Sequence, residues 1–133
     1  MPRPPKDDED ELIYRRMVAA LTHRDATALR TLLAEDVELR SNAIGGDLAV
    51  GRTAVLAAVK AHRDLLFEPT LLSFEHLGDG WMIVPSRLRH SLPNGGLADS
   101  QKTVLARVIR RKVAVSIVFR TDAEAQAELE RRR

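Results

Sequence analysis

Apolar residues recur at helical spacing over residues 9–22, with Ile13, Met17 and Leu21 at i, i+4 and i+8 and Val18 and Ala20 beside them. This spacing predicts a first helix, and the acidic run from Asp7 to Glu11 suits its start, where the helix dipole favours negative charge. Asp25 is placed to cap a second helix with the stripe Ala26, Leu29, Leu32 and Leu33, ended by Glu35 and Asp36. Residues 37–40 alternate as a short strand. A polar loop with glycines at 45, 46 and 51 then feeds a third helix over 53–65, whose stripe is Val55, Leu56 and Val59, continued by His62 and Leu66. Beyond residue 70 the period changes to alternation. Strands are predicted over 71–77, 81–91, 103–109 and 113–119, separated by turns at Asp79-Gly80, Pro93-Asn94-Gly95-Gly96 and Arg110-Arg111-Lys112. Pro85 falls inside the second strand, where its missing N–H implies a bulge or an edge position. Thr121 and Glu124 form a capping box for a closing helix that starts near Asp122.

Three helices followed by strands predict an α+β domain: three N-terminal helices on a curved, mixed or antiparallel sheet, with a short C-terminal helix. A sheet bent over its helices leaves a conical cavity, and cavities of that kind hold ligands. The 133 residues fit one domain, assigned to 9–133, with the proline-rich and then acidic residues 1–8 as a disordered arm. The Gly-rich loop fits neither a Walker loop nor a dinucleotide fingerprint, since no Lys-Ser/Thr follows it. Without cysteine there is no thiolate nucleophile, disulfide framework or zinc–sulfur site. No apolar run approaches the roughly 20 residues of a membrane span, and the N-terminus lacks a signal-peptide core. A cytoplasmic protein without a membrane partner is the expectation. Net charge is only +2, and its basic clusters, Arg110–Lys112 and Arg131–Arg133, fit a solvated turn and a helix end. No nucleic-acid partner is expected, because no aromatic-interleaved basic strand or recognition helix is present.

The segment VAALTHRDATALRTLLAEDVELRS, followed by GGDLAVGRTAVLAAV, resembles the opening of SnoaL-like proteins of the nuclear-transport-factor-2-like superfamily. There a helix, a short D-x-x-A-L helix, an A-x-D-V strand and a G-R-x-A helix start recur in that order. The close, RVIRRKVAVSIVFRTDAEAQAEL, resembles the family's final hairpin and A-E-A terminal helix, so the match covers nearly the whole chain after residue 8. One departure is the hairpin turn. Relatives carry Asp-Gly-Lys or Asp-Gly-Arg, whereas Arg110-Arg111-Lys112 offers no residue suited to positive φ. The resemblance implies a cone-shaped pocket and a dimer through the outer sheet face. It also invites comparison with ketosteroid isomerase, which uses a carboxylate base with a tyrosine and a protonated aspartic acid as oxyanion donors. The corresponding positions here are Met17 for the tyrosine, Ser41 for the base and Ile109 for the acidic donor, so that activity is not expected. Tyr14, about 60° around the helix from Met17, is placed near the cavity rim.

If the resemblance sets the strand phase, Val84, Ser86, Leu88 and His90 face the cavity, followed by Leu105, Arg107 and Ile109, then Ser116 and Val118. With Tyr14, Met17 and Ser41 these are the pocket candidates, and a one-residue slip at Pro85 would invert everything after it. Arg107 has two readings: a clamp for a ligand carboxylate or enolate, or an outward side chain paired with Glu38 or Glu75. His90 is either an acid–base group or a solvated strand end. His62 fits a hydrogen-bonded histidine at a helix–sheet seam, His76 packs with Leu72 and Phe74, and His23 lies in a solvated turn. Local metal-ligand pairs and a nucleophile elbow are both lacking, so neither a metal nor another cofactor is implied. Trp81 suits the core or an interface. The face carrying Val113, Val115, Ile117 and Phe119 is wholly apolar, and a second subunit in a homodimer is the expected cover. The leading expectation for function is binding of a small, mostly apolar molecule with one anionic or carbonyl group, without an identifiable reaction. A cyclase, isomerase or dehydratase using His90 as acid–base and Arg107 as enolate stabiliser is the second. The third is a non-catalytic dimerisation scaffold whose cavity Met17 and Ile109 plug.

Overall fold

A proline fits the first helical turn because its missing N–H would have no partner there. The computed structural model, which describes residues 4–133, accordingly begins helix α1 (Pro5–Thr22) at a proline rather than at residue 9. Residues 5–8 of the expected arm are therefore helical, and residues 1–3 lie outside the described residues. Helix α2 (Ala26–Leu32) is capped by Asp25, whose carboxylate accepts the Ala28 N–H at 3.1 Å. Strand β1 (Leu33–Arg40) follows without a loop, so Leu33 opens a strand instead of closing a helical stripe. Next come β2 (Leu48–Val50) and α3 (Arg52–Ala61), the latter shorter than expected. The strand expected over 71–77 is two pieces, β3 (Phe67–Leu71) and β4 (Glu75–His76). Then follow β5 (Trp81–Ser91), β6 (Leu97–Ile109), β7 (Lys112–Phe119) and α4 (Asp122–Arg132). Thr121 caps α4 as its sequence predicts, accepting the Glu124 N–H at 3.1 Å.

One mixed sheet runs in the order β2-β1-β7-β6-β5-β3, with β4 paired to β5. All its pairs are antiparallel except β1 with β7. The β5–β6 register is unbroken from Trp81↔Arg107 to Ser91↔Leu97, so Pro85 causes no bulge. It falls where β5 changes its other partner, between Leu71↔Ser86 of β3 and Glu75↔Ile83 of β4. A proline is tolerated in that gap because no ladder bond needs its N–H.

The sheet is covered on both faces. Its inner face packs Leu39, Met82, Val84, Ala106, Val108 and Val113 against α1, α2 and α3. On the outer face Trp81, Ile83, Leu105, Val115 and Ile117 meet Ala125 and Leu129 of α4. This corrects the expected dimer surface in two ways. A register shift between Arg107 and Val108 sends Val113 to the inner face, away from Val115. Val115 and Ile117 are only 5% and 4% exposed, because the chain's own α4 covers them. Arg132 ties α4 to the sheet with two hydrogen bonds to Glu38, at 2.8 and 2.9 Å, and one to Glu128 at 2.6 Å. Among the described residues no helix is long and apolar enough to cross a membrane.

Candidate functional site

Because β5 keeps its phase through Pro85, Ser86 and Leu88 point at the helices, as their alternation predicts. They line a cleft between α1 and the inner sheet face, together with Tyr14, Val18 and Leu21 of α1 and Phe67, Pro69 and Leu71 of β3. Val104, Ser116 and Val118 supply its other wall, and Arg40, Ser41, Asn42 and Lys102 surround one end. The cavity is about 40 Å³, room for only a few waters. Six of the expected residues are therefore brought together: Tyr14, Ser41, Ser86, Leu88, Ser116 and Val118.

The other candidates lie elsewhere. Met17 and Val84 are fully buried in the inner core. Leu105 belongs to the outer core, and Ile109 is 38% exposed, so neither reaches the cleft. Arg107 is also on the outer side, with its guanidinium 4.9 Å from the Trp81 ring centroid and Nε donating to the Asp79 carbonyl at 2.9 Å. Strand β6 thus runs in the opposite phase to the one expected. Its inward residues are Lys102, Val104, Ala106 and Val108. Arg107 does point outward, but its partners are Asp79 and Trp81 rather than Glu38 or Glu75. His90 is on the inner face and buried, with Nδ1 at 3.2 Å from Asn42 Nδ2 and 3.1 Å from the Ser91 carbonyl, and Nε2 at 3.3 Å from Ser100 Oγ. Both ring nitrogens are engaged, and His90 and Arg107 stand on opposite faces of the sheet.

The remaining histidines have structural surroundings. His62 Nδ1 meets the Ala58 carbonyl at 3.0 Å, and its ring packs against Gly45, where an added Cβ would lie 2.7 Å from Nε2. His76 pairs with Glu11 at 2.6 Å and stacks on Phe74. His23 is exposed at the end of α1. Among the described residues no cluster of three or more His, Asp or Glu gathers in a way that could hold a metal ion.

The chemistry of the cleft lies in its hydroxyls. Tyr14 Oη and Ser116 Oγ are 3.0 Å apart, and Tyr14 is only 2% exposed. Burial pushes the phenol up to about 12, with the Ser116 hydrogen bond opposing that shift. Ser41 Oγ accepts from the Ala43 N–H, which leaves its proton free, and Ser86 Oγ donates to the Val84 carbonyl. Among the described residues no carboxylate lines the cleft. Sequence reasoning missed Arg40, Asn42 and Lys102. The alternation of β6 held no signal for Lys102, because residues 104–109 put apolar side chains on both faces of the strand.

No family model matches the sequence, and no curated protein matches it either. Solved structures do match in shape. An LEH-like epoxide hydrolase from M. tuberculosis shares 12% identity over 97% of this chain and 90% of that one, at TM-score 0.73. A Δ5-3-ketosteroid isomerase from Mycobacterium sp. shares 13% over 88% and 95%, at TM-score 0.67. An NTF2-like protein of unknown function from Burkholderia pseudomallei K96243 shares 19% over 87% and 93%, at TM-score 0.65. At these identities the likeness is one of fold.

Proposed function

We infer that this chain, which has the nuclear-transport-factor-2-like fold, binds one small, mostly apolar molecule in the cleft between α1 and the sheet. The Tyr14–Ser116 pair is the observation that carries the reading. Two hydroxyls bonded to each other keep spare donor and acceptor capacity, so a ligand carbonyl or hydroxyl can join them without stranding either one. The phenol, with its pKa pushed up to about 12, stays protonated at neutral pH and remains a donor. Neither a carboxylate nor His90 is among the described residues that line the cleft, so the reading includes no proton-abstraction step. A reaction shared between His90 and Arg107 loses its geometry, since the two cannot touch one substrate from opposite faces of the sheet.

The small volume of the cleft favours a second reading, a filled scaffold with no ligand. Native mass spectra of the full chain at low collision energy separate the two. Binding predicts a discrete small-molecule adduct that disappears in Ser116→Leu, whose larger side chain fills the cleft. A chain carrying nothing, with a Ser116→Leu variant that melts lower than the parent because its side chain overpacks a cavity without room for it, would decide for the scaffold. The same spectra report any homodimer, which would have to use a surface other than the one α4 covers.

A further inference from the structure

We propose that the ligand is a carboxylate: its anionic end lies in a basic vestibule at the cleft mouth, on Lys102 and Arg40, while its far end meets Tyr14 and Ser116. The inference rests on the pocket reading above and names the chemical class that pocket takes. Outside the cleft is a second concavity of about 310 Å³ that shares Arg40, Asn42, Lys102 and Val118 with it. Among the described residues its charged groups are Arg40, Lys102 and Arg120 against the carboxylate of Glu124. Arg40 is held by its Nε, which donates to the Val118 carbonyl at 3.3 Å, and by stacking 5.0 Å from the Phe119 ring centroid. Its terminal nitrogens are left for a ligand. Lys102 is half-buried and enters no ion pair among the described residues.

Strand register fixes the spacing between the two ends. On the inner face Ala106 lies opposite Ser116 and Val104 opposite Val118, and Lys102 is the next inward residue toward the mouth. Four residues of strand from Ala106 to Lys102 amount to about 13 Å. A lysine side chain folding back over part of that distance leaves a gap that a slender eight-carbon chain bridges. The apolar wall between the ends is Val104, Val118 and Leu88. A cavity of only about 40 Å³ favours a slender ligand over a fused-ring one, so the class is a linear, medium-chain acid with an oxo or hydroxy group near its far end.

The test is an amide-shift titration of the full chain with three probes of equal length: octan-2-one, octanoate and 7-oxooctanoate. Octan-2-one should shift the Tyr14 and Ser116 amides. 7-oxooctanoate should also shift Lys102 and Arg120 and bind roughly fivefold tighter, the upper range for a solvent-accessible ion pair. Octanoate should fall short of it through loss of the carbonyl contact. Lys102→Gln should remove the advantage of 7-oxooctanoate over octan-2-one, whereas Glu124→Gln, which deletes an opposing charge, should enlarge it. If octan-2-one binds in the cleft and the carboxylate adds nothing, the inference is wrong and the pocket reading stands. A carboxylate advantage that survives Lys102→Gln, with shifts at Arg30, Lys60 and Arg63 of the α2–α3 groove, also overturns it. If no probe shifts Ser116, the pocket reading itself falls and takes the inference with it.

Discussion

At the scale of single residues, the hairpin between β6 and β7 carries the clearest local strain. Arg110 and Arg111 hold φ of 52° and 64°, the left-handed conformation at both central positions of a two-residue turn. Side chains with a Cβ are disfavoured there, at roughly 1 kcal/mol each. Replacing the pair by Asn-Gly, the sequence such turns prefer, should raise stability by about 1–2 kcal/mol in a denaturant titration. Arg111 sacrifices only an exposed pair with Glu9 at 3.6 Å. The sequence alone exposed this mismatch, because two arginines between alternating strands leave the turn no glycine. It was silent about Arg107. A strand apolar on both faces, with Val104, Ala106 and Val108 on one and Leu105 and Ile109 on the other, has no phase that alternation can choose. Tyr14 offers a second residue-level check. It is the chain's single tyrosine, so absorbance of tyrosinate reports it without interference. A phenol raised from its ordinary 10 to about 12 binds its proton more tightly when folded. Its contribution to stability is whole below pH 10 and is lost as the pH rises through about 12. An absorbance step near pH 10 in the folded protein would contradict the buried, bonded phenol.

Among the elements, α4 has a role larger than its length suggests. Its capping box was legible in the sequence and so was its start, but its destination was not. Amphipathic spacing announces an apolar stripe without saying which surface will receive it. Here it covers the sheet face that pattern alone assigned to a partner subunit. Truncating Leu129 to Ala removes a side chain that is 2% exposed and should cost about 2–4 kcal/mol. Trp81, the chain's single tryptophan, lies in the same cluster, so its fluorescence follows α4 directly. The helix is also held by charge. Hydrogen bonding to Arg132 keeps the Glu38 carboxyl below the usual carboxylate range, and Arg131 followed by Arg132 does the same for Glu128. Groups with depressed folded values contribute stability above their unfolded value of 4.5 and lose it as the pH falls through the lower folded one. Acid titration should therefore red-shift Trp81 emission as α4 loosens. In Glu38→Gln, which cannot titrate at that position, the acid-induced part of the change should shrink.

For the whole molecule, the two-sided sheet makes a strong prediction about association. A chain cut after Arg120 would expose Trp81, Ile83, Leu105, Val115 and Ile117 together, an apolar surface that monomers rarely leave open. In light scattering the truncated chain should self-associate far more strongly than the full one. The order of helices and strands made the layered architecture readable beforehand. Its closure was not, because the parallel pairing of β1 with β7 joins segments whose sequence patterns say nothing of each other. That pairing also bears on how the protein is made and unmade. Glu38 and Val115, neighbours across the seam, are 77 positions apart (115 − 38). Bringing such distant segments together costs roughly 4 kcal/mol of chain entropy before any contact repays it. The seam is thus expected to zip late, after the local β5–β6–β7 meander has formed. Ser41 and Ser116, which line the cleft, stand on its two sides. A molecule bound there would meet an assembled site only in the native state, so it should prolong the protein's lifetime by slowing unfolding and leave the speed of folding untouched.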